Sequence, residues 1–299
     1  MKPSRLIVFL AFLSYACIVN AELSCYTWNM EWFPAGKDDQ YSGIENERTQ
    51  EAGKLLHNAF QSLQGNVDSS DQILFLQEIR DGATCSNLIS CLNNNKLRLA
   101  SISSYNLFGK KDKQQTAIIT SLPVVASGYE EWDKEEGILI VRGFSYALLS
   151  YQDIYIACFS LHLKANTDET FEKKQTDIFK RESAAKQLLN RIKSISDAHK
   201  EKKIFCIIAG DFNTNTDDKR FISEGTIRSL YGAHFRSCFT GMKKADRITC
   251  PAKDRFPDTT FDYILFKGFS KTKTITYPTA PLSDHKIVGT RLELDYKSQ

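Results

Sequence analysis

The sequence predicts β-sheets covered by helices, and three observations carry that reading. Short runs rich in Ile, Val, Phe and Tyr recur along the chain, most bounded by turn residues, as strands are. Two longer segments repeat apolar residues at helical spacing, with charged residues between them. No internal repeat and no Pro- or Gly-rich linker divides the chain, which points to one domain from about residue 22 to the end. With 299 residues, 42% hydrophobic and 25% charged, the chain can bury a sizeable core. Its 11% aromatic content excludes a disordered chain.

In chain order, residues 1–21 read as a signal peptide. Lys2 and Arg5 form a basic start, and an apolar run of about fourteen residues follows, too short for a comfortable membrane span. Small residues then precede Glu22. No later stretch has the length and hydropathy of a membrane span. The expected location is therefore secreted, periplasmic or extracellular. Strands are expected at 25–32, 72–76, 116–120, 143–150, 154–163, 203–208, 261–266 and 287–294. One helix is expected through Ala52, Leu55, Leu56, Ala59, Phe60 and Leu63. A second runs through Ile178, Ala185, Leu188, Leu189, Ile192 and Ile195.

Charge is uninformative about partners. The formal net charge of +3 includes Lys2 and Arg5, so the mature chain stands near +1, and only local basic patches can argue for nucleic acid. Seven cysteines follow the leader. Exported chains form disulfides, and the expected pairs are Cys85 with Cys91 and Cys238 with Cys250. Cys158 and Cys206 lie inside apolar runs and read as buried thiols. The spacings do not resemble a zinc site.

The unusual polar residues fall at strand ends. Residues 207–213 read Ile-Ile-Ala-Gly-Asp-Phe-Asn. Alternate side chains of an extended chain point the same way, so Asp211 and Asn213 can face one ligand. A carboxylate beside an amide suits activating a water or holding a phosphoryl oxygen. A turn in which Asp and Asn satisfy the backbone would look the same. Glu78 closes the run Ile73 to Gln77, where a buried charge needs a partner or a metal. His162 sits between apolar neighbours and fits either a core histidine or a catalyst. Asp262 lies inside a strand. Asp284-His285 can bind metal or exchange protons. Asn29 lies in Trp28-Asn29-Met30-Glu31-Trp32, which also fits an aromatic core with polar edges.

Taken together, the order Asn29, Glu78, His162, Asp211 with Asn213, Asp262, Asp284-His285 resembles the endonuclease/exonuclease/phosphatase superfamily, in particular its deoxyribonuclease I-like branch. The resemblance spans nearly the whole mature chain, and its GDFN, SDH and QE motifs are specific in combination. It implies an α/β (α+β) four-layer sandwich, two packed mixed β-sheets flanked by helices. It also implies that Glu78, with Asn29 and Asp284 nearby, holds an essential Mg²⁺, with Mn²⁺ or Ca²⁺ as substitutes. Asp211 and Asn213 then orient the nucleophilic water and the phosphate, His285 works with Asp262, and His162 serves acid–base catalysis or phosphate binding. The chemistry agrees, because a hard cation with oxygen ligands offsets charge building on a phosphodiester.

Fold does not fix substrate. Arg80, the pair Lys110 and Lys111, and the pair Lys243 and Lys244 with Arg247 are candidate phosphate or groove contacts. They favour an endonuclease acting on DNA, as a monomer and without stable membrane association, by in-line attack of an activated water. A sphingomyelinase is the alternative. It would use Tyr129, Trp132 and residues 137–141 at a membrane, where Glu130, Glu131, Asp133 and Glu135 oppose docking on anionic lipid. A non-catalytic binding module is disfavoured because no catalytic position is missing.

Overall fold

The computed structural model describes residues 22–64, 71–92, 94–107, 110–166, 170–253 and 256–295. The expected signal peptide lies outside them. The strands are β1 (Glu22–Phe33), β2 (Asp71–Ile79), β3 (Arg98–Ile102), β4 (Asn106–Leu107), β5 (Lys110–Lys111), β6 (Gln115–Thr120) and β7 (Val124–Glu131). There follow β8 (Gly143–Tyr151), β9 (Ile154–His162), β10 (Ile204–Asp211), β11 (Arg236–Ser237), β12 (Asp262–Lys267), β13 (Phe269–Tyr277) and β14 (Ile287–Leu294). The α-helices are α1 (Glu45–Gln64), α2 (Gly82–Cys91), α3 (Phe171–Ala198) and α4 (Thr226–Gly232). One sheet runs β13-β14-β1-β2-β6-β3 and the other β11-β12-β10-β9-β8-β7, with β4 and β5 as a separate ribbon. The pairs β1–β2 and β9–β10 are parallel and the rest antiparallel, so both sheets are mixed. The four-layer sandwich is the fold observed.

Strand alternation builds the layers. Along β1, Leu23 and Cys25 join the core between the sheets, while Tyr26, Trp28 and Met30 join the layer packed with α1 and α2. On β2, Ile73 and Phe75 face inward and Leu74 and Leu76 outward. The helix α1 buries Ala52, Leu56, Ala59, Phe60 and Leu63, as its spacing predicts. The second sheet is covered by α3, which buries Ala184, Ala185, Leu188 and Ile195.

A polar seam crosses the core near the catalytic end. Thr27 Oγ1 donates to Gln77 Oε1 at 3.2 Å, and Gln77 Nε2 donates to Ser160 Oγ on the other sheet at 3.1 Å. Thr116 and Ser145 hydroxyls meet at 2.9 Å across the same gap. All are buried and satisfied, as such groups must be.

All eight expected strands are present. The strands that periodicity missed are β3, β7, β11 and β13, the four outer edges of the two sheets, together with the ribbon. Edge strands keep one side in water and carry charge there, which erases the apolar alternation. In β7, Val124–Glu131, most residues are exposed. The helices α2 and α4 were missed because ten and seven residues give too few apolar repeats.

Neither expected disulfide forms; all seven cysteines among the described residues are free. Cys85 and Cys91 both lie on α2, where six residues correspond to roughly 9 Å of helical rise, beyond the ~7 Å that a disulfide spans between Cα atoms. Cys85 is buried, and Cys91 packs against Gly53 of α1. Cys238 is anchored in the core by its amide on Ile264, whereas Cys250 pairs with Thr259 near the sheet end. Cys158 and Cys206 are buried thiols, as expected.

One buried ion pair fastens the second helical layer. Arg181 of α3 donates to Glu224 through Nε at 2.8 Å and Nη2 at 2.7 Å, and through Nη1 to the Lys164 carbonyl at 2.9 Å. Both charged groups are 1% exposed. Breaking such a pair strands a buried charge, so Arg181→Met should cost about 3–5 kcal/mol in urea denaturation. Adding Glu224→Gln should recover part of that loss; a double variant as unstable as the single one would contradict this account.

Candidate active site

The polar residues at the strand ends converge. Asn29 of β1 is the junction: its Nδ2 donates to Glu78 Oε1 at 3.1 Å and to Asp211 Oδ2 at 3.0 Å. Glu78 comes from the neighbouring strand and Asp211 from the opposite sheet, so one carboxamide joins the two sheets at the site. The Asn29 Oδ1 accepts the Glu31 amide at 3.1 Å. Glu78 Oε2 accepts the Trp32 amide at 3.0 Å.

The local backbone is bent to present these groups. Glu31, Trp32, Glu78 and Asn213 all have φ between 48° and 58°, a region costly for side-chain-bearing residues. Gly210 precedes Asp211 at φ 144°, and a Cβ there would lie 2.0 Å from the Leu161 carbonyl oxygen. Glycine is therefore required for β10 to lie against β9 while delivering Asp211. Asp211 Oδ1 accepts the Asn213 amide at 2.9 Å. Asn213 is fixed further by its Nδ2 on the Leu163 carbonyl at 3.2 Å and by Asn166 Nδ2 on its own carbonyl at 2.7 Å.

Two imidazoles flank Asp211. His162 Nε2 lies 3.8 Å from Asp211 Oδ2 and 3.6 Å from Glu78 Oε1. His285 Nε2 lies 3.9 Å from Asp211 Oδ2, and its Nδ1 is 2.8 Å from Asp262 Oδ2. Ser283 Oγ donates to the Asn29 carbonyl at 2.7 Å, which seats the Ser283-Asp284-His285 turn against β1.

The two rings differ in charge. Burial holds the His162 pKa well below the usual value, and Arg142 and His285 push the same way. Its Nδ1 is buried without a hydrogen-bond partner and its Nε2 faces two carboxylates, so the neutral ring with its proton on Nε2 fits the pocket. For His285, burial opposes protonation, but Asp262 and Asp211 outweigh it and raise the pKa well above the usual value. Burial pushes Asp211 up to about 7, with His285 pulling the other way.

Glu31 is a site residue that sequence reasoning missed. Its Oε2 accepts the Asp284 amide at 2.9 Å, and burial followed by the Asp284 charge raises its pKa. The Asn-x-Glu spacing of Asn29 and Glu31 at a strand end was the available signal. Lys253, also missed, places Nζ 3.7 Å from Asp284 Oδ2 and 4.0 Å from Glu31 Oε1. A lone loop lysine carries no sequence signal.

The donor set fits a hard divalent cation. Glu31, Glu78, Asp211, Asp262 and Asp284 gather here, and burial keeps Glu31 and Asp211 from ionising freely, a cost that a cation offsets. Each Glu78 oxygen meets a neutral donor and retains a lone pair. By proximity alone, Asp211, Asp262 and His285 form a second possible group, with ligand atoms within 4.8 Å of one another. The Asp262–His285 bond and the raised His285 pKa favour a hydrogen-bonded pair over a ligand set there.

The expected substrate contacts lie in three segments. Arg80 is engaged by Glu45 at 2.7 Å and by Asp81 at 3.3 Å. Lys111 is exposed; Lys110 and Lys111 form β5, which leads into β6, where Gln115 pairs with Ile79 at the catalytic end. Lys243 and Lys244 are exposed beside a 3-10 turn, and Arg247 of that turn is paired with Asp217 at 2.7 Å.

The chain belongs to the Endonuclease/Exonuclease/phosphatase family, whose model matches residues 26–285. No curated protein matches it by sequence. Among solved structures it is similar to truncated TDP2 of Caenorhabditis elegans, at 15% identity and TM-score 0.60, covering 91% of this chain and 98% of that one. It is similar to a family member from Bacteroides thetaiotaomicron, at 14% identity and TM-score 0.62, covering 92% and 98%. It is also similar to D. rerio TDP2 complexed with single strand DNA product, at 14% identity and TM-score 0.56, covering 91% and 99%. These likenesses are likenesses of fold.

The charge state of His162 has a measurable consequence. An imidazole held neutral in the fold but free to protonate near pH 6.5 when unfolded makes the folded state lose stability as pH falls below that value. His162→Gln removes this term. The Tm of the variant relative to the unsubstituted protein should therefore rise between pH 7.5 and pH 5, both measured in EDTA. A difference that stays constant over that range would show that His162 is not held neutral.

Proposed function

We propose that this chain is an exported, Mg²⁺-dependent phosphodiesterase that cuts DNA as an endonuclease, by in-line attack of water. One observation carries the reading: Asp211 is held by Asn29 between two imidazoles of opposite charge preference, beside an acid cluster suited to a cation. Glu78 and Asn29, with Asp284, would hold the ion. When bound, it supplies positive charge for the phosphoryl oxygens and eases ionisation of water.

The chain's own groups account for the rest. Ionised Asp211 accepts the proton of the attacking water. Asn213 Nδ2 has one hydrogen on Leu163 and a second free for a phosphoryl oxygen. His162, neutral, donates from Nε2 to the phosphate. His285, backed by Asp262, is the imidazole able to carry a proton and to stabilise the charge of the transition state. This divides the two histidines differently from proton delivery by His162, because a ring held neutral has no extra proton to give.

Nucleic acid as substrate is supported by the fold shared with the TDP2 solved with a single strand DNA product. Of the residues named for the sphingomyelinase alternative, Tyr129 and Leu139 are exposed. Trp132 is buried against Phe144, with ring centroids 5.0 Å apart, so it is not offered to a membrane. No helix among the described residues is long and apolar enough to cross one. We take the protein to act as a monomer without stable membrane association.

Three outcomes are expected. Plasmid DNA should be cleaved with Mg²⁺ and left intact with EDTA, and His285→Ala or His162→Ala should lower the rate at least about a hundredfold. Hydrolysis of sphingomyelin with inert DNA would replace the nuclease reading, and full activity in EDTA would remove the metal. A chiral phosphorothioate diester should be hydrolysed with inversion, and retention would rule out direct attack by water. Asp211 must be ionised to take the water's proton; burial pushes its pKa up to about 7 in the cation-free site and a bound cation draws it down again, so kcat should decline on acidification with its midpoint below pH 7; a rate that does not fall on acidification would contradict that role.

A further inference from the structure

We propose that Thr249 is the positioning residue that sets the geometry of the Asp262–His285 pair. Its catalytic consequence rests on the hydrolase reading above; the geometry does not.

Thr249 is fully buried and precedes the catalytic strand β12 by thirteen residues, on a segment that belongs to neither sheet. Its hydroxyl oxygen accepts two adjacent backbone amides, Phe261 at 3.0 Å and Asp262 at 3.1 Å. These are the amides at the very start of β12, where the chain turns Asp262 towards the site. The Thr249 carbonyl accepts the amide of Lys286, the residue after His285, at 2.7 Å. The Thr249 amide donates to the Thr259 carbonyl at 3.1 Å. One residue therefore grips the backbone on both sides of the pair: the residue that carries the carboxylate and the residue next to the imidazole.

This grip has a purpose that packing would not serve. Asp262 and His285 come from chain segments 23 residues apart, and their side chains meet in a single contact, His285 Nδ1 to Asp262 Oδ2. Asp262 is fully buried and its Oδ1 has no hydrogen-bond partner, so the carboxylate gets little help from its surroundings in holding its orientation. The backbone must do this instead. Apolar contacts are non-directional and permit sliding, whereas two amides converging on one hydroxyl fix both distance and angle. Reacting groups held by such contacts lose rate steeply when they shift by about an ångström.

The hydroxyl, rather than the shape of the side chain, is the active feature. Thr249→Val keeps the shape and removes the acceptor; Thr249→Ser keeps the acceptor and removes the methyl group. On a phosphodiester substrate, Thr249→Val should lower kcat about tenfold or more with KM within about twofold, and Thr249→Ser should stay near the unsubstituted rate. Hydrogen–deuterium exchange, which needs no activity, should show the Phe261 and Asp262 amides protected in the unsubstituted protein and in Thr249→Ser, and fast in Thr249→Val. Unprotected amides in the unsubstituted protein would overturn the proposal even if Thr249→Val failed to fold. So would a Thr249→Val protein with normal kcat, or a Thr249→Ser protein as impaired as the valine variant. If the unsubstituted protein hydrolyses no phosphodiester, the hydrolase reading fails by itself, and the exchange result alone decides whether Thr249 holds the pair.

Discussion

The architecture of the site depends on one carboxamide. Asn29 gives its two amide hydrogens to Glu78 and Asp211, acids on different sheets. Without a neutral donor between them, two carboxylates near one another in a buried site would repel and draw protons. With it, both keep lone pairs directed at the same space. The remaining groups are arranged around that junction. Ser283 hangs the Asp284-His285 turn from the Asn29 carbonyl, and Glu31 receives the Asp284 amide two residues further along. The unfavourable φ values of Glu31, Trp32, Glu78 and Asn213 are concentrated here, where the sandwich around them is rigid enough to maintain them.

Much of the fold was legible in the sequence, and the division between read and unread has a physical cause. Every strand recognised from apolar runs lies inside a sheet, and the four missed strands of the two sheets are their edges. An interior strand is buried by its neighbours and declares itself in composition. An edge strand such as β7 is held by backbone hydrogen bonds that leave no mark on side-chain chemistry. The disulfides failed for a related reason. Cys85 and Cys91 are close in sequence, but the helix that joins them keeps their backbones apart.

The site was legible in its charged and ionisable members and less so in its supports. Asp211, Asp262, His162 and His285 stand out because such residues are out of place at the ends of apolar strands. Glu31 stood in plain view within the Trp28–Trp32 segment, but only the backbone bend at φ 48° turns it towards Asp284. Arg80 looked like a groove-reading arginine by position. Of its partners, Asp81 is the next residue and was in view as a surface pair, whereas Glu45 is brought there by α1, which spacing does not encode.

The polar seam between the sheets bears on how such a sandwich reaches a single alignment. Two apolar faces could settle against one another in several offsets of similar energy, since oil-like contact scarcely distinguishes them. Thr27, Gln77 and Ser160 do distinguish them. An offset of one residue would leave the Gln77 amide in hydrocarbon with nothing to bond, a penalty larger than any gain from regained contact. The seam therefore works as an alignment key, cut one residue behind Glu78. It rejects the near-miss assemblies in which the two halves of the catalytic centre would each be intact and yet fail to meet.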